Sequence, residues 1–466
     1  MALCTVFGAV LALGGCAGLP GKDVPHAAGA PLAAAESLAA APADWPGDAW
    51  WKSYGDNQLD TLMDEGLAGA PSLAAAEARV RVAEASLASA RAARAPAVSA
   101  SAEAQALKQS YNNGIPAAFI PHGYQDIGRA SLDFRYELDF WGRNRAAVAA
   151  ASSDARAARA EAAEARLVLS TSIAQAYADL ARLYAERDVA ERAVALQGET
   201  FDLVSRRVKS GLDTRGELAQ AQAGPAAARA DIAALDEAIT QTRNRLAALI
   251  GAGPDRGRGI ARPPAAQLKS FGLPANIAAD LLGRRPDITA ARWRAEAAFK
   301  RVNQARASFY PNVNLAAYVG VQALGLEQLT QAGSDIGAIG PAITLPIFQG
   351  GRLRAGLRRA SAERDAAVAS YEDTLVQALR DVADVTASQN ALGARLKESR
   401  DALAANEEAY RIARLRYDGG LSNYQNVLIA EQGVLTQRRV VADLEARAFT
   451  LDVALVRALG GGFQAS

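Results

Sequence analysis

The second half of the chain repeats the first. Residues 208–212 (VKSGL) recur as residues 417–421 (YDGGL) at an offset of 209, and residues 140–143 (FWGR) recur as residues 348–352 (FQGGR) with one extra glycine. Self-similarity over most of a chain indicates a duplicated structural unit. The fold must therefore be built from two copies of one arrangement of helices and strands.

Both copies are predicted to contain a helix, a strand hairpin, a very long helix, a tight glycine turn and a return helix. In the first copy, residues 44–250, these elements lie at 59–95, about 96–140, 142–208 and 213–249. In the second copy, residues 276–458, they lie at 276–308, about 311–348, 352–417 and 421–458. An equatorial linker at 251–275 joins the copies, and a C-terminal tail follows at 459–466.

The long helices exceed the size of one globular domain. At about 1.5 Å per residue, the helix at 142–208 would run roughly 100 Å. Its distal half carries a stripe at a spacing of seven: Ile173, Leu180, Arg187, Val194, Phe201 and Val208. This spacing predicts coiled-coil packing, with the return helix as the partner.

Residues 131–140 alternate strictly between apolar and charged side chains. The apolar set is Leu132, Phe134, Tyr136, Leu138 and Phe140, and the charged set between them is Asp133, Arg135, Glu137 and Asp139. This period of two predicts a strand with one face toward lipid and the other toward water. With its weaker hairpin partner and the hairpin of the second copy, one chain offers four membrane-type strands.

Four strands do not complete a membrane wall, because an open sheet edge in hydrocarbon leaves backbone groups without hydrogen bonds. The smallest closed barrels have about eight strands. Two chains would supply eight strands, and three would supply twelve, enough to enclose a water-filled lumen. A soluble antiparallel sheet with one wet face is the alternative that periodicity leaves open.

The amino terminus is predicted to be a signal peptide at residues 1–15, followed by a lipidated Cys16. The apolar run ends in small residues directly before this cysteine, as lipoprotein processing requires. Residues 16–43 are rich in alanine, proline and glycine and are predicted to form a lipid-anchored linker. Ala17 after the cysteine favours the outer membrane. An ordinary signal peptide with a chance cysteine is the alternative.

Composition argues against an enzyme, a metal protein or a nucleic-acid-binding protein. Lys and Arg number 51 against 50 Asp and Glu, so no excess positive charge indicates nucleic acid. Two His and two Cys are too few for a tetrahedral metal site. No nucleophile–base pair or phosphate-binding glycine loop is present in the sequence. We expect no cofactor other than a covalent lipid at Cys16.

Five segments, in order along the duplicated frame, carry a family resemblance. They are Trp50-Trp51 with Gly55-Asp56 and Leu59, residues 136–143 (YELDFWGR), 284–288 (RRPDI), 345–353 (LPIFQGGRL) and 416–421 (RYDGGL). Together they resemble the outer-membrane factor family of TolC-like and OprM-like efflux ducts, in its NodT-type lipoprotein branch. The resemblance covers essentially the whole chain after Cys16.

This resemblance implies a mainly α protein with a β-barrel part. In such a homotrimer, twelve strands close an outer-membrane barrel and twelve helices continue it as a periplasmic coiled-coil tunnel. The duct would conduct substrates passively, together with a periplasmic adaptor and an inner-membrane pump, usually of the resistance-nodulation-division type. Outer-membrane lipid would surround the barrel, and no nucleic-acid partner is expected.

The resemblance also places a gate at the periplasmic helix tips. The lining positions correspond to Gln425, Ile429 and Gln432, and Ile429 stands where the family usually has an aspartate. We therefore expect a constriction of apolar and amide side chains, with any acid displaced to Glu431 or Glu217. A solvated face or a helix–helix ion pair explains Glu431 at least as well.

Glycines mark the predicted reversals of the chain. The helix tips expected to contact an adaptor, or simply to reverse the chain, are Gly211, Leu212, Gly420 and Leu421. The turns from strand to long helix are predicted at Gly142, Gly350 and Gly351. Pro225 predicts a break in the first return helix near Gln222. Trp50 and Trp51 are expected to pack around the helices rather than bind a ligand.

Two other functions stay open at this point. The exit duct of a type I protein-secretion system would differ in its pump and not visibly in this chain. A lipid-anchored coiled-coil scaffold or adhesin would explain the heptads and Cys16 but would leave the amphipathic strands without a role.

Overall fold

The computed structural model describes residues 33, 36–38, 41–112, 114–264, 272–274 and 277–465. Cys16, the predicted signal peptide and most of the predicted lipid-anchored linker lie outside the described residues. The described chain forms two units, one of residues 80–157 and 291–371 and the other of the remaining described residues. Each unit therefore combines segments from both sequence copies.

The described helices and strands follow the same order in both copies. The first copy contains α1 (Asn57–Gly69), α2 (Pro71–Ala92), β1 (Ala97–Leu107), β2 (Gln125–Leu138), α3 (Arg143–Lys209) and α4 (Arg215–Leu249). A short helix, α5 (Pro254–Arg258), lies in the predicted linker. The second copy contains α6 (Ile277–Arg284), α7 (Pro286–Ala307), β3 (Asn312–Leu324), β4 (Asp335–Thr344), α8 (Arg352–Asp418) and α9 (Tyr424–Leu459). The two long helices, α3 and α8, have 67 residues each.

Each copy opens with two helices rather than with the one that we predict. Pro71 is the first residue of α2, and Pro286 is the first residue of α7. Proline has no N–H to donate to the preceding turn, but its fixed φ suits the first turn of a helix. The predicted single helices at 59–95 and 276–308 are therefore wrong at these two positions.

Pro225 does not break the first return helix, contrary to our prediction near Gln222. The helix α4 continues through this position, and the proline ring is buried. Its neighbour Gly224 lies close against α3, since a Cβ built there would be 3.2 Å from Cδ of Gln197. Proline removes one backbone hydrogen bond, and burial of this face keeps the surrounding turns helical.

The stripe of α3 packs into a core that includes Ile239 and Leu246 of the return helix α4. Ile173 and Leu180 are fully buried. Further along α3, Arg187 forms an ion pair with Asp236 of α4, with Nε and Oδ1 2.6 Å apart. A polar member of the stripe thus faces the same partner helix as its apolar neighbours, as coiled-coil packing requires.

The four strands form one antiparallel sheet in the order β1-β2-β3-β4. The register sets Val98 opposite Phe134, Leu132 opposite Val319, and Ala317 opposite Ile339. Directly opposed residues share one face of a sheet. One face is therefore apolar across all four strands: Val98, Ala100, Leu132, Phe134, Leu138, Val313, Leu315, Ala317, Val319, Ile339 and Ile343.

The opposite face of the sheet is polar. Its members include Ser99, Ser101, Arg129, Ser131, Asp133, Arg135, Glu137, Asn314 and Tyr318. Asp133 accepts hydrogen bonds from Ser101 (3.2 Å) and Ser131 (3.1 Å). The side chains of Arg129 and Tyr318 make a cation–π contact. The sheet therefore has one apolar face and one polar, hydrogen-bonded face, as the alternation in β2 predicts.

The strands end earlier than predicted. β2 stops at Leu138, and the carboxylate of Asp139 accepts hydrogen bonds from the backbone N–H groups of Asn144 (3.2 Å) and Arg145 (2.8 Å). Asp139 therefore caps α3 instead of continuing the strand, and Phe140 lies beyond the sheet. β4 likewise ends at Thr344, short of the predicted hairpin end at 348.

The predicted linkers pair with each other. The N–H of Ala43 donates to the carbonyl of Leu273 (2.9 Å), and the N–H of Leu273 donates to the carbonyl of Ala41 (2.7 Å). This short bridge connects the segment before the first copy to the segment between the copies.

Candidate functional site

Four helices pack together around one apolar cluster. They meet there at the ends of α3 and α8 and at the starts of α4 and α9. We call it the tip cluster; its buried members are Leu203, Val204, Ala221, Tyr410, Tyr417, Tyr424, Val427 and Val434. All four helices contribute to it, so the two glycine turns lie at the same end of one bundle. The repeat thereby produces a pair of adjacent helix hairpins.

The two turns have the same construction. Gly211 and Gly420 have φ of 74° and 71°, in the left-handed region that glycine tolerates without a steric penalty. Thr214 begins α4 with a capping box: its Oγ1 accepts from the N–H of Glu217 (3.2 Å), and the Glu217 carboxylate accepts from the N–H of Thr214 (2.7 Å). Asn423, 209 residues later, caps α9 with one hydrogen bond, which its Oδ1 accepts from the N–H of Asn426 (3.3 Å).

The predicted tip leucines point to solvent. Leu212 is 66% exposed and Leu421 is 75% exposed. Both follow a turn glycine, and both lie at the end of a hairpin. Each copy therefore presents one apolar side chain at a position available to a partner.

The three predicted gate residues share one exposed face of α9. Gln425, Ile429 and Gln432 are spaced by four and three residues, which is the repeat of a helix face. The Ile429 side chain is 62% exposed, so it is available to line a passage or to contact another chain. The face also lies within one to three turns of the tip.

The two predicted acids of the gate do not lie on this face. Glu217 belongs to the capping box of α4, as described above. Glu431 is only 2% exposed and points into the bundle, where it accepts a hydrogen bond from Oγ1 of Thr200 (2.6 Å). The expectation that Glu431 lines the constriction is therefore wrong, because its carboxylate is packed between α3 and α9. It is neither on a solvated face nor in a salt bridge of the described chain.

Burial disfavours the ionised form of Glu431. Burial raises the pKa of the Glu431 carboxyl above its ordinary value, and hydrogen bonds from Thr200 and Gln197 and the charge of Arg414 oppose the shift. Burial, Glu431 and Tyr410 together raise the pKa of Tyr424 to about 12. The bundle thus contains, close to its tip, a carboxyl group whose ionisation is unfavourable.

Sequence reasoning missed a polar contact between the hairpins. Asp213, in the first turn, accepts hydrogen bonds from Nε of Arg207 (3.0 Å) and from the hydroxyl of Tyr417. The guanidinium of Arg207 also lies over the Tyr417 ring, 4.4 Å from its centre. Since Asp213 and Arg207 are largely buried, removing one of them would leave the other charge buried without its partner, which costs more than breaking an exposed pair.

The strand-to-helix turns are glycines in left-handed conformations. Gly142 has φ of 76°, and Gly350 and Gly351 have φ of 54° and 85°. After the first of these turns, Arg143 pairs with Glu137 of β2 at 2.7 Å. The ring of Trp141 stacks on Tyr310, with centroids 4.7 Å apart.

The remaining segments of the resemblance have structural roles. Trp50, Trp51 and Tyr54 are buried in a core with Phe449, and the Tyr54 hydroxyl donates to Asp452 (2.6 Å). This packing is what we expect of the two tryptophans. Asp56 caps α1 and also accepts from the hydroxyl of Tyr177 (2.6 Å), which joins α1 to α3.

Arg285 of the RRPDI segment makes contacts with three helices. Its guanidinium forms ion pairs with Asp287 (2.6 Å) and Asp381 (3.3 Å) and donates to the carbonyl of Ala458 (3.2 Å). One side chain thus joins the start of α7, the middle of α8 and the end of α9.

Among the described residues, no group of three or more His, Cys, Asp or Glu side chains is arranged to hold a metal ion.

No helix within the described ranges is both long enough and apolar enough to cross a membrane.

Comparison with known proteins decides the family. A family model described as outer membrane efflux protein matches residues 62–252 and again residues 277–461. The chain belongs to the outer membrane efflux protein family. The double match follows the two sequence copies, and it confirms the resemblance found in the sequence. Family membership places this efflux protein in the outer membrane.

Individual relatives agree with this assignment. The multidrug resistance outer membrane protein MdtP of Shigella flexneri is 31% identical over all of this chain and 97% of its own length. The fusaric acid resistance protein FusA of Burkholderia cepacia is 36% identical over 76% of this chain and 68% of its own. The chain in the crystal structure of the outer membrane protein VceC of Vibrio cholerae is 46% identical in sequence to this chain. The two structures match with a TM-score of 0.85, over 90% of this chain and all of the VceC chain.

The fold class is confirmed by this structural match. The efflux protein is mainly helical with a small antiparallel sheet, as the resemblance implies. Its sheet carries the apolar face, and its helix hairpins carry the candidate gate.

Proposed function

We propose that the protein is the outer-membrane duct of a tripartite efflux system, and that it conducts substrates passively through a homotrimer. It receives them from an inner-membrane pump, of the resistance-nodulation-division type, through a periplasmic adaptor. It is a pore and not an enzyme, and it needs no cofactor. A covalent lipid at Cys16 anchors it to the outer membrane.

The observation that carries this proposal is the continuous apolar face of the sheet. Side chains such as Val319, 63% exposed, and its neighbours Leu132 and Ile339 form a broad apolar surface on a single chain. Surfaces of this size mark contact with lipid or protein. Strands of 10 to 14 residues also have the length needed to cross hydrocarbon at a tilt.

The ends of the sheet explain why more than one chain is needed. β1 and β4 are the outer strands of the sheet, and each pairs with one neighbour within the described chain. An unpaired strand edge is not tolerated in lipid. Pairing β4 of one protomer with β1 of the next closes the wall, and three protomers supply twelve strands.

The gate is assigned to the helix tips. The exposed face of Gln425, Ile429 and Gln432 would meet its symmetry mates around the axis of the trimer. The contact of Asp213 with Arg207 and Tyr417 holds the two hairpins of each protomer together and favours the closed state. Gly211, Leu212, Gly420 and Leu421 form the tips that the adaptor contacts.

The exit duct of a type I protein-secretion system is the second candidate from the same architecture. The names of the relatives favour efflux, since MdtP and FusA are described as resistance proteins. A coiled-coil scaffold or adhesin would have no use for the apolar sheet face.

Single-channel recording in planar lipid bilayers tests the proposal. Purified trimer is expected to form channels that are mostly closed, and Ile429→Ala is expected to raise the open conductance because a side chain leaves the constriction. Val440→Ala, an exposed apolar position further along α9, is the matched control and is expected to behave as the parent. An unchanged conductance in Ile429→Ala would remove Ile429 from the gate. A folded monomer without detergent or lipid would contradict the whole proposal.

A further inference from the structure

A layer of polar side chains lies at the tip cluster and shares Tyr410 with it. We call it the polar layer; it consists of Gln197 and Thr200 of α3, Tyr410 of α8 and Glu431 of α9. Apolar residues of the tip cluster surround it, including Tyr424, Val427 and Val434. Buried polar groups inside an apolar bundle are costly unless they are hydrogen-bonded, so the stability of this layer depends on the partner of each group.

The layer is a connected chain of hydrogen bonds. Oγ1 of Thr200 lies 3.3 Å from the hydroxyl of Tyr410 and 2.6 Å from the carboxylate of Glu431. Because the Thr200 hydroxyl donates its single hydrogen to the carboxylate, the Tyr410 hydroxyl must be the donor in its bond with Thr200. The amide of Gln197 also lies beside Glu431 and opposes the rise of its pKa, because its Nε2 can donate to an ionised carboxylate. Thr200 thus connects Tyr410 of α8 to the Glu431 carboxyl of α9.

The same layer contains an acceptor for a protonated carboxyl. Oε1 of Gln197 is buried and has no hydrogen-bond partner among the described residues. Rotation of the amide would turn this oxygen toward Glu431, where a protonated carboxyl can donate to it. Gly224 of α4 leaves room for the amide, because a Cβ there would lie 3.3 Å from that oxygen. The layer thus has a hydrogen-bond arrangement for each protonation state.

The charged groups around Glu431 do not neutralise it. Arg414 of α8 is the basic residue that acts on it, but this side chain pairs with Glu199 of α3 at 2.7 Å and is partly exposed. Among the described residues, the titratable groups on which Glu431 acts are Tyr410, within the layer, and Tyr424 beside it. An ionised Glu431 is therefore a largely uncompensated buried charge, whereas its protonated form fits the layer.

We propose that Glu431 is a positioning residue of the gate, which couples the packing of α9 against α3 to the binding of one proton. The protonated carboxyl keeps the hairpins packed. Ionisation favours the state in which α9 moves away and water reaches the carboxylate. Since the packed bundle raises the pKa of Glu431, opening releases a proton. Opening is therefore favoured as the pH rises from the ordinary glutamate range, about 4.3, through the raised value.

The link from this movement to conduction rests on the proposed function, but the movement can be measured independently. Hydrogen–deuterium exchange of the intact trimer, corrected for intrinsic exchange, reports the packing of residues 424–434. Protection in the parent is expected to fall with rising pH by up to about ten-fold per unit, the limit for one proton. Glu431→Gln has no proton to lose, so it is expected to give constant protection equal to the acid limit of the parent.

Two further variants make the test specific. Glu408→Gln removes an exposed carboxylate of α8, which pairs with Arg411 of the same helix, and is expected to follow the parent. Thr200→Val removes the donor to the ionised carboxylate and is expected to move the transition to higher pH. A flat parental curve, or a parental slope in Glu431→Gln, would overturn the inference. If exchange depends on Glu431 while bilayer recordings show no channel under any condition, the proposed function fails and the proton coupling stands.

Discussion

Arg207 donates a hydrogen bond from Nη1 to the backbone carbonyl of Tyr417, over 2.8 Å. This bond joins the last turn of α3 to the last turn of α8, and so connects the two sequence copies at the tip. Asp213 binds both side chains from the first glycine turn. Separating the hairpins requires all of these contacts to break.

Tyr417→Phe is expected to favour the open channel. The substitution keeps the ring under the Arg207 guanidinium but removes the hydroxyl that donates to Asp213. A hydrogen bond to a charged group contributes about 1.5–3 kcal/mol, so the ratio of open to closed channels should rise roughly ten-fold or more. The open probability of single channels in planar bilayers measures this ratio. Tyr371→Phe, a half-buried tyrosine elsewhere in α8, controls for loss of a hydroxyl, and equal open probabilities in both variants would contradict the prediction.

Alanine should have opposite effects at two glycines of the first hairpin. At Gly211, with φ of 74°, a side chain costs about 1–2 kcal/mol because the left-handed conformation crowds Cβ. At Gly198, inside α3 with open space around the Cβ position, alanine should stabilise the helix by roughly 0.5–1 kcal/mol. Hydrogen exchange of residues 195–215 should therefore speed up in Gly211→Ala and slow down in Gly198→Ala. The same direction in both would show that the turn conformation is not required.

A charge should be tolerated on one face of the sheet only. Leu132→Arg places a cation on the apolar face and should cost about 2–4 kcal/mol in the membrane. Ser99→Arg places the same side chain on the polar face, opposite Asp133. The amount of heat-resistant trimer in outer-membrane fractions should fall for the first variant and stay near the parental level for the second. Equal trimer yields would show that the apolar face does not contact lipid.

Arg285 should contribute far more to the stability of the fold than its neighbour Arg284. Arg285→Gln leaves Asp287 and Asp381 without their shared cation, at a cost of about 2 kcal/mol for partly exposed partners. Arg284 contacts the ring of Trp45, and Arg284→Gln should cost less than about 1 kcal/mol. Thermal unfolding followed by circular dichroism compares them. A larger loss in Arg284→Gln would contradict the role assigned to Arg285.

Local patterns in the sequence predicted much of the fold. The heptad stripe, the turn glycines and the alternation in β2 each depend on neighbours within one element, and the structure has long helices, left-handed turns and a sheet face at those places. The errors in the fold lie at element ends and at prolines. A proline starts a helix at Pro71 and is absorbed within one at Pro225, and only the surrounding packing distinguishes the two cases.

The candidate site was less accessible to sequence reasoning. Gln425, Ile429 and Gln432 share a face because helix geometry alone puts them there. Glu431 was misplaced because one residue along a helix turns a side chain by about 100°, and the sequence does not reveal which direction the neighbouring helix occupies. The partners Gln197 and Thr200 come from another helix more than 200 residues away.

The sequence by itself determined that the protein is a duplicated chain of long helices and amphipathic strands, because periodicity and repetition are properties of residues close together in the chain. Only the tertiary structure decided that Asp213 joins the hairpins and that Glu431 is buried. Arg207 matches Arg416 of the second copy, but Tyr417 matches Val208 of the first. The contact is therefore not a product of the repeat, and it exists only where the packed helices bring unlike residues together.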